Sequence, residues 1–368
     1  MIALESLFYF LAFVSTTLFA YRCLQVVSYS KNKKLRNELS HKFSIIICAH
    51  NEAENLKKNI PLILMQDYAE FEVLVVLDRC TDNSFDILSN IYEHDPRLKV
   101  ITINAVSDGF HPKKYGITKA IEMARHEWLL LTDADCVPVS KNWIQSFSNE
   151  IESGKEIILG LSPYAPGSDF LGQLVCYETY RTALSYIASS ISGDTYMGVG
   201  RNLAYKKEIF IQNGGFGENK GVTGGDDDLF IQRIAQKENV AINLDENSLT
   251  KSPPKRTWYE YFQQKTRHLS VGKYYPTSVK IQLTTSALLH SLVWLIFIFL
   301  VSFKPDQWVV SGVFALVIIV KGLVSKYTSR KLHMNWNLVL FPILDFAYAV
   351  FLPLVGLRSF LIKKIQWN

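Results

Sequence analysis

The chain has 368 residues, 48% apolar, 13% aromatic and 20% charged, and 39 Lys and Arg against 34 Asp and Glu leave a net charge of +5. A composition this apolar excludes a disordered chain, and so small a cationic excess, with no zinc-finger or RNA-binding signature, excludes nucleic acid as a partner. The apolar residues are concentrated at the two ends, which argues against a purely soluble protein.

Only Glu5 is charged in the first 21 residues. The apolar stretch from Ser6 to Tyr21, with its flanks, reaches about 20 residues, the length that crosses a bilayer core. A cleaved signal peptide has a basic start and a small-residue cleavage site. Here Glu5 precedes the stretch and Arg22, Lys31, Lys33, Lys34 and Arg36 follow it. The pattern predicts an uncleaved anchor over 1–30, its N-terminus outside and its basic flank in the cytoplasm.

From 40 to 275 the chain reads as a globular domain. Strand-like runs occur at 43–48, 72–78, 98–103, 128–133 and 156–161, and helix-like runs at 53–66, 83–94, 113–126 and 142–152. Continuous apolar strands alternating with amphipathic helices predict an α/β domain with a mostly parallel sheet, covered on both faces. Five cysteines occur without a CxxC pair. They imply no disulfide framework, a reducing face and small buried hydrophobes.

The region 284–368 is the second membrane region. Thr284–Phe303 carries no charge and is the strongest span. Lys304-Pro305-Asp306 breaks it, and Trp308–Val324 returns toward Lys326, Arg330 and Lys331. Leu338–Leu357 holds Pro342, Asp345 and Pro353, and Arg358, Lys363 and Lys364 lie after it. A third full span would put those cations outside, so a re-entrant or interfacial segment is expected. His290 and Asp345 are either functional polar groups in lipid or residues turned toward protein.

Ligands of parallel sheets sit at the carboxyl ends of the strands. Here those ends read Cys48-Ala49-His50-Asn51-Glu52, Leu77-Asp78-Arg79-Cys80-Thr81-Asp82 and Thr132-Asp133-Ala134-Asp135. Acids crowded at one edge need a cation, and oxygen donors without His or Cys suit Mg²⁺ or Mn²⁺. Alternate residues of an extended strand point the same way, so Asp133 and Asp135 can approach one ion. Helix capping by Asp135 is the competing reading.

With these residues in view, the span 43–275 resembles the GT-A glycosyltransferases of family 2, the inverting group that includes cellulose and hyaluronan synthases. FSIIICAHNEAENL is similar to the family's first strand and Asn-Glu turn, LDRCTDNS to its acidic second strand end, HPKKYGITKAI to its Gly-Lys step and TDADC to its metal motif. MGVGRNLAYKK with GGFGENKGVTGGDDDLF resembles the acceptor side, and YFQQKTRHLS the Gln-x-x-Arg-Trp motif. Leu77, Pro112, Gly225 and His268 stand where the family has aspartate, glycine, glutamate and tryptophan.

The resemblance implies a nucleotide-sugar site of Asn51, Glu52, Asp78, Lys113, Asp133, Gln264 and Arg267. It further implies a Mn²⁺ or Mg²⁺ on Asp133 and Asp135, an acceptor contact at His268, and Asp226 as base with Asp227 as rival. Asp226 to Asp228 also precede an apolar helix and could simply favour its N-terminus. Glu52 likewise begins a helix. Trp258, Tyr259, Tyr261 and Phe262 suit a membrane interface, a sugar platform or core packing equally. The implied protein is a multi-pass enzyme of the cell (inner) membrane with a cytoplasmic catalytic domain. It would move a sugar from a nucleotide diphosphate to a hydroxyl of a lipid-linked or other membrane-associated acceptor, in glycolipid or surface polysaccharide synthesis. A polyprenyl-phosphate acceptor, a catalytically silent scaffold and a metal-dependent nucleotidyltransferase are the alternatives. Against the last, CAHNEAEN lacks a glycine-rich phosphate loop.

Overall fold

The computed structural model describes residues 2–31, 41–303 and 306–361. The basic flank at Lys33, Lys34 and Arg36, the break at Lys304-Pro305, and Lys363 and Lys364 lie outside the described residues. The chain forms two compact units, a sheet unit of 34–165 and 189–253 and a helical unit of 1–33, 166–188 and 254–368.

The sheet unit contains β1 (Phe43–Ala49), β2 (Phe71–Asp78), β3 (Leu98–Ile103), β4 (Trp128–Asp133), β5 (Val137–Pro138), β6 (Ile157–Leu159), β7 (Leu203–Lys206), β8 (Val240–Ile242) and β9 (Thr250–Lys251). Seven of these form one sheet in the order β3-β2-β1-β4-β7-β6-β8, and β5 pairs with β9. The first four strands are parallel neighbours. Every residue of β2 is buried, as expected of a strand covered on both faces. Trp128, Trp143 and Phe147 close the core beneath it, each worth about 1.5–3 kcal/mol for leaving water. The register sets Cys48 opposite Asp133 and Ala49 opposite Leu77, so three acidic strand ends finish side by side.

The sheet is mostly parallel, as the alternating pattern predicts. What the pattern did not contain is the insertion of β7, which runs antiparallel between β4 and β6. That crossing shortens the expected strand 156–161 to Ile157–Leu159. Gly160 then lies so close to β7's approach that an added Cβ would sit 2.6 Å from the Asn202 carbonyl oxygen. Helices Ala53–Leu64, Ser84–Tyr92 and Pro112–Met123 occupy the expected places, and the fourth contracts to Trp143–Ser148. Pro112 opens its helix, where a preset φ and a missing N–H cost nothing.

Among the described residues, the helical unit has four helices long and apolar enough to cross a membrane: Ile2–Tyr29, Thr277–Phe303, Trp308–Lys331 and Leu338–Ser359. Phe8, Val293, Leu300, Val310 and Phe314 form an apolar core shared by the first three of them. The expected re-entrant or interfacial segment is one continuous helix, Phe341–Leu361, with Pro353 inside it. Its acid is turned toward protein. Asp345 accepts hydrogen bonds from Tyr177 (2.6 Å), Trp294 Nε1 (2.9 Å) and Arg181 (3.2 Å). His290 Nε2 lies 3.2 Å from the Asp345 carbonyl oxygen.

Two parts of the expected 40–275 domain pack with this unit: Pro166–Ala188, most of a helix that runs Phe170–Ser192, and the stretch from Pro254 onward. Thr257 and Glu260 form a capping box that starts helix Trp258–Ser270. Its aromatics divide. Tyr261 stacks on Phe351 at 5.1 Å and Phe262 carries Arg358 at 4.7 Å, while Trp258 and Tyr259 are exposed.

Candidate active site

The carboxyl ends of β1, β2 and β4 carry three of the predicted groups. Asn51 adopts a left-handed φ of 55°, a conformation asparagine tolerates better than most residues. Its side-chain oxygen accepts the Thr81 N–H at 2.8 Å, so Asn51 ties the first strand-end loop to the second. Glu52 accepts from Asn55. The N–H of Ala53, the first residue of the helix Ala53–Leu64, is taken instead by Asp82 at 3.0 Å. Asp78 is buried, and Arg79 grips both its oxygens at 2.8 and 2.9 Å, a forked charge-assisted pair.

Lys113 stands in the first turn of helix Pro112–Met123 and joins two distant acids. Its Nζ is 3.0 Å from Asp133 Oδ1 and 2.9 Å from Asp226 Oδ2. A small cleft at this point is lined by Cys48, Lys113, Thr132, Asp133, Gly200 and Asp226. Burial alone would lower the lysine's proton affinity, but Asp133, Asp226 and Asp227 outweigh it and hold the ammonium well above its ordinary value. Burial would likewise raise Asp226. The Lys113 charge and hydrogen bond reverse that, and the carboxyl sits below its ordinary value.

Asp227, the rival, has a different job in the fold. Its Oδ1 accepts the Asp228 N–H at 2.9 Å as the cap of helix Asp228–Ile234, and its Oδ2 accepts the Gly200 N–H at 2.7 Å. Burial, then the charge of Asp226, push its carboxyl upward. The capping role the sequence left open for the acidic run therefore falls to Asp227, and Asp226 faces the cleft.

Asp133 and Asp135 lie within one turn, closed by the Cys136 N–H on the Asp133 carbonyl at 3.1 Å. The Cys136 thiol donates to Asp135 Oδ1 at 3.4 Å. Among the described residues no three His, Cys, Asp or Glu side chains form a metal-holding group. Two carboxylates with only oxygen donors fit a hard divalent ion that fills its shell with water and phosphate oxygens. All five cysteines are free thiols. Gln264, Arg267 and His268 stand on helix Trp258–Ser270 of the helical unit.

One group within the quoted motifs was given no role. Arg201, just before β7, donates to Ser252 Oγ at 2.6 Å and to the Ser162 carbonyl at 3.1 Å, and its guanidinium lies 4.3 Å over the Tyr164 ring. Burial would lower it, but Tyr164, Cys136, Asp133 and Asp135 raise it. The sequence signal was its place in MGVGRNLAYKK, directly after Gly198-Val199-Gly200.

Residues 44–214 match the model of the family "Glycosyl transferase family 2". The chain is 25% identical over 123 residues to "Glycosyltransferase GlyG" of Streptococcus pneumoniae, covering 33% of this chain and 39% of that protein. It is 24% identical over 95 residues to the "Poly-beta-1,6-N-acetyl-D-glucosamine synthase" of Staphylococcus epidermidis, covering 26% of this chain and 22% of that one. The matched segments thus span well under half of these curated relatives. Among solved structures, the mannosyltransferase PcManGT of Pyrobaculum calidifontis, in complex with GDP-Man and Mn²⁺, superposes with a TM-score of 0.62 at 18% identity, over 96% of this chain and 99% of that one. That likeness is one of fold.

Proposed function

We propose that this chain, whose residues 44–214 match the glycosyl transferase family 2 model, is a glycosyltransferase with the following reaction. A sugar moves from a nucleotide-diphosphate donor to a hydroxyl of a membrane-associated acceptor, with inversion at the anomeric carbon. The observation that carries this reading is the Lys113 bridge between Asp133 and Asp226. It joins a diphosphate-side acid and an acceptor-side acid through one cation.

On this reading Asp133 and Asp135 would hold Mg²⁺ or Mn²⁺, as their oxygen-only donor set allows. When bound, the ion neutralises charge developing on the departing diphosphate. PcManGT, of similar fold, was solved with GDP-Man and Mn²⁺, in keeping with a nucleotide-sugar donor and a divalent ion. Asp78 sits at the strand end where the nucleoside would lie, and Arg79 leaves its carboxylate for solvent when that ligand arrives. Lys113 keeps Asp226 ionised between turnovers. An incoming diphosphate draws the ammonium toward itself, and Asp226 regains the proton affinity a base needs. It then accepts the acceptor hydroxyl's proton, a contribution typically of about 10²–10⁴-fold. Gln264 and Arg267 are assigned to the diphosphate and His268 to the acceptor. The four apolar helices support a lipid-linked or other membrane-associated acceptor; the basic residues that follow the apolar runs are the ground for assigning the catalytic domain to the cytoplasmic side of the cell membrane.

The test is release of nucleoside diphosphate by the full chain in detergent, across a panel of nucleotide sugars with Mn²⁺ or Mg²⁺ and a membrane extract as acceptor source. Extract-dependent release from at least one donor is expected. Release from none, with or without chelator, refutes the reading.

A further inference from the structure

Lys114 follows Lys113 on the same helix but points elsewhere, since consecutive helical residues diverge by about 100°. It is wholly buried. Its Nζ donates to the Asn219 carbonyl at 2.6 Å and lies 5.6 Å from the Phe216 ring. An ammonium is costly to bury, so this placement needs a return.

The loop it holds is 213–225, the segment that leads into Asp226. Gly214, Gly215, Gly217, Gly224 and Gly225 there all take left-handed φ values, from 53° to 77°. Phe216 is its one buried large side chain, packed on Phe210 and Phe230. Such a chain has little packing of its own to hold it. Its start is tied to helix residues on either side, the Gly215 N–H donating to the Phe210 carbonyl at 2.9 Å and Arg233 to the Gly215 carbonyl; its second half is tied to the segment just before the lysine. The His111 N–H donates to the Lys220 carbonyl at 2.8 Å, Lys220 Nζ lies 5.1 Å from the Phe110 ring, and a Cβ on Gly221 would come within 2.8 Å of the Gly109 carbonyl oxygen.

We propose that Lys114 is a positioning residue: it clasps the glycine-rich loop 213–225 to the start of helix Pro112–Met123 and so fixes where Asp226 stands. One helical turn then organises both sides of the cleft, Lys113 through the acids and Lys114 through the backbone behind the second acid. The consequence for catalysis rests on the reading of Asp226 as base; the clasp itself does not.

The experiment compares Lys114→Met and Lys114→Arg in the full chain. Trypsin cleavage after the exposed Lys220, read by mass spectrometry, reports the loop. Transfer kinetics report the base. Losing a charge-assisted hydrogen bond should speed cleavage of the methionine variant by about 10–100-fold. Its kcat should fall about 10–100-fold while the donor KM holds, and arginine should recover part of both. Cleavage at the wild-type rate, or faster cleavage with kcat unchanged, overturns the proposal. If Lys114→Met does not fold, Lys114→Gln, neutral but still a donor, is judged by the same two readouts. Normal transfer by Asp226→Asn would sink the base assignment alone, and cleavage after Lys220 would still decide the clasp.

Discussion

Adjacent acids with opposite duties can be separated by paired substitutions at Asp226 and Asp227. Asp226→Asn keeps the shape and leaves Lys113 paired with Asp133 at 3.0 Å, so the fold should hold. If Asp226 is the base, kcat should drop about 10²–10⁴-fold, a barrier increase of about 3–5 kcal/mol, while donor binding persists. Asp227→Ala removes two acceptors, one from the Asp228 N–H and one from the Gly200 N–H. A lost helix cap costs about 1 kcal/mol and a buried N–H left unmet about 1–3 kcal/mol. Relief of its repulsion with Asp226 offsets part of that. A net loss of about 2–3 kcal/mol is expected, seen as a lower denaturation midpoint of the full chain in detergent. Turnover per folded molecule should fall far less than in Asp226→Asn. The reverse pattern, with Asp226→Asn active and Asp227→Asn dead at full stability, would refute the division of roles.

In the helical unit, Asp345→Ala strips the partner from Arg181, Tyr177 and Trp294 and should cost about 3–5 kcal/mol. Adding Arg181→Met should restore more than half, and strict additivity of the two in unfolding measurements would exclude a coupled pair. Asp135→Ala should make nucleotide-sugar binding, followed calorimetrically, insensitive to chelator, whereas wild-type binding should weaken on chelation; equal response in both would remove Asp135 from the metal site. Glu72 predicts acid sensitivity. Burial would raise its carboxyl, but Lys99, the Arg125 N–H and the Ser44 hydroxyl hold it below the ordinary 4.5. A depressed carboxyl contributes stability above its unfolded value and loses it as pH falls through the folded one. Glu72→Gln should therefore be less stable at pH 7 and show a shallower loss below about pH 4.5; parallel stability curves down to pH 3 would contradict this.

How much was legible from residues alone follows from range. The strands at 43–48, 72–78, 98–103 and 128–133 announce themselves because burial on both faces demands unbroken Ile, Val and Leu, a local signal. The acidic strand ends come with them, since each acidic motif follows directly on its own strand, although the sheet sets the ends in the order β2-β1-β4 rather than in chain order. The apolar helices are equally local, set by length and hydropathy. What Asp226 and Asp227 each do was not local. Nothing near them distinguishes two neighbouring aspartates; the Gly200 N–H and Lys113 do, and both arrive from far along the chain. The same holds for β7, a short strand whose direction is decided by the gap between β4 and β6, and for Asp345, whose charge is tolerable on an apolar helix because Tyr177 and Arg181 reach it from another one. Periodicity records which face a residue turns inward. Only the assembled chain decides what meets it there, because a buried charge is stable solely against partners that folding supplies.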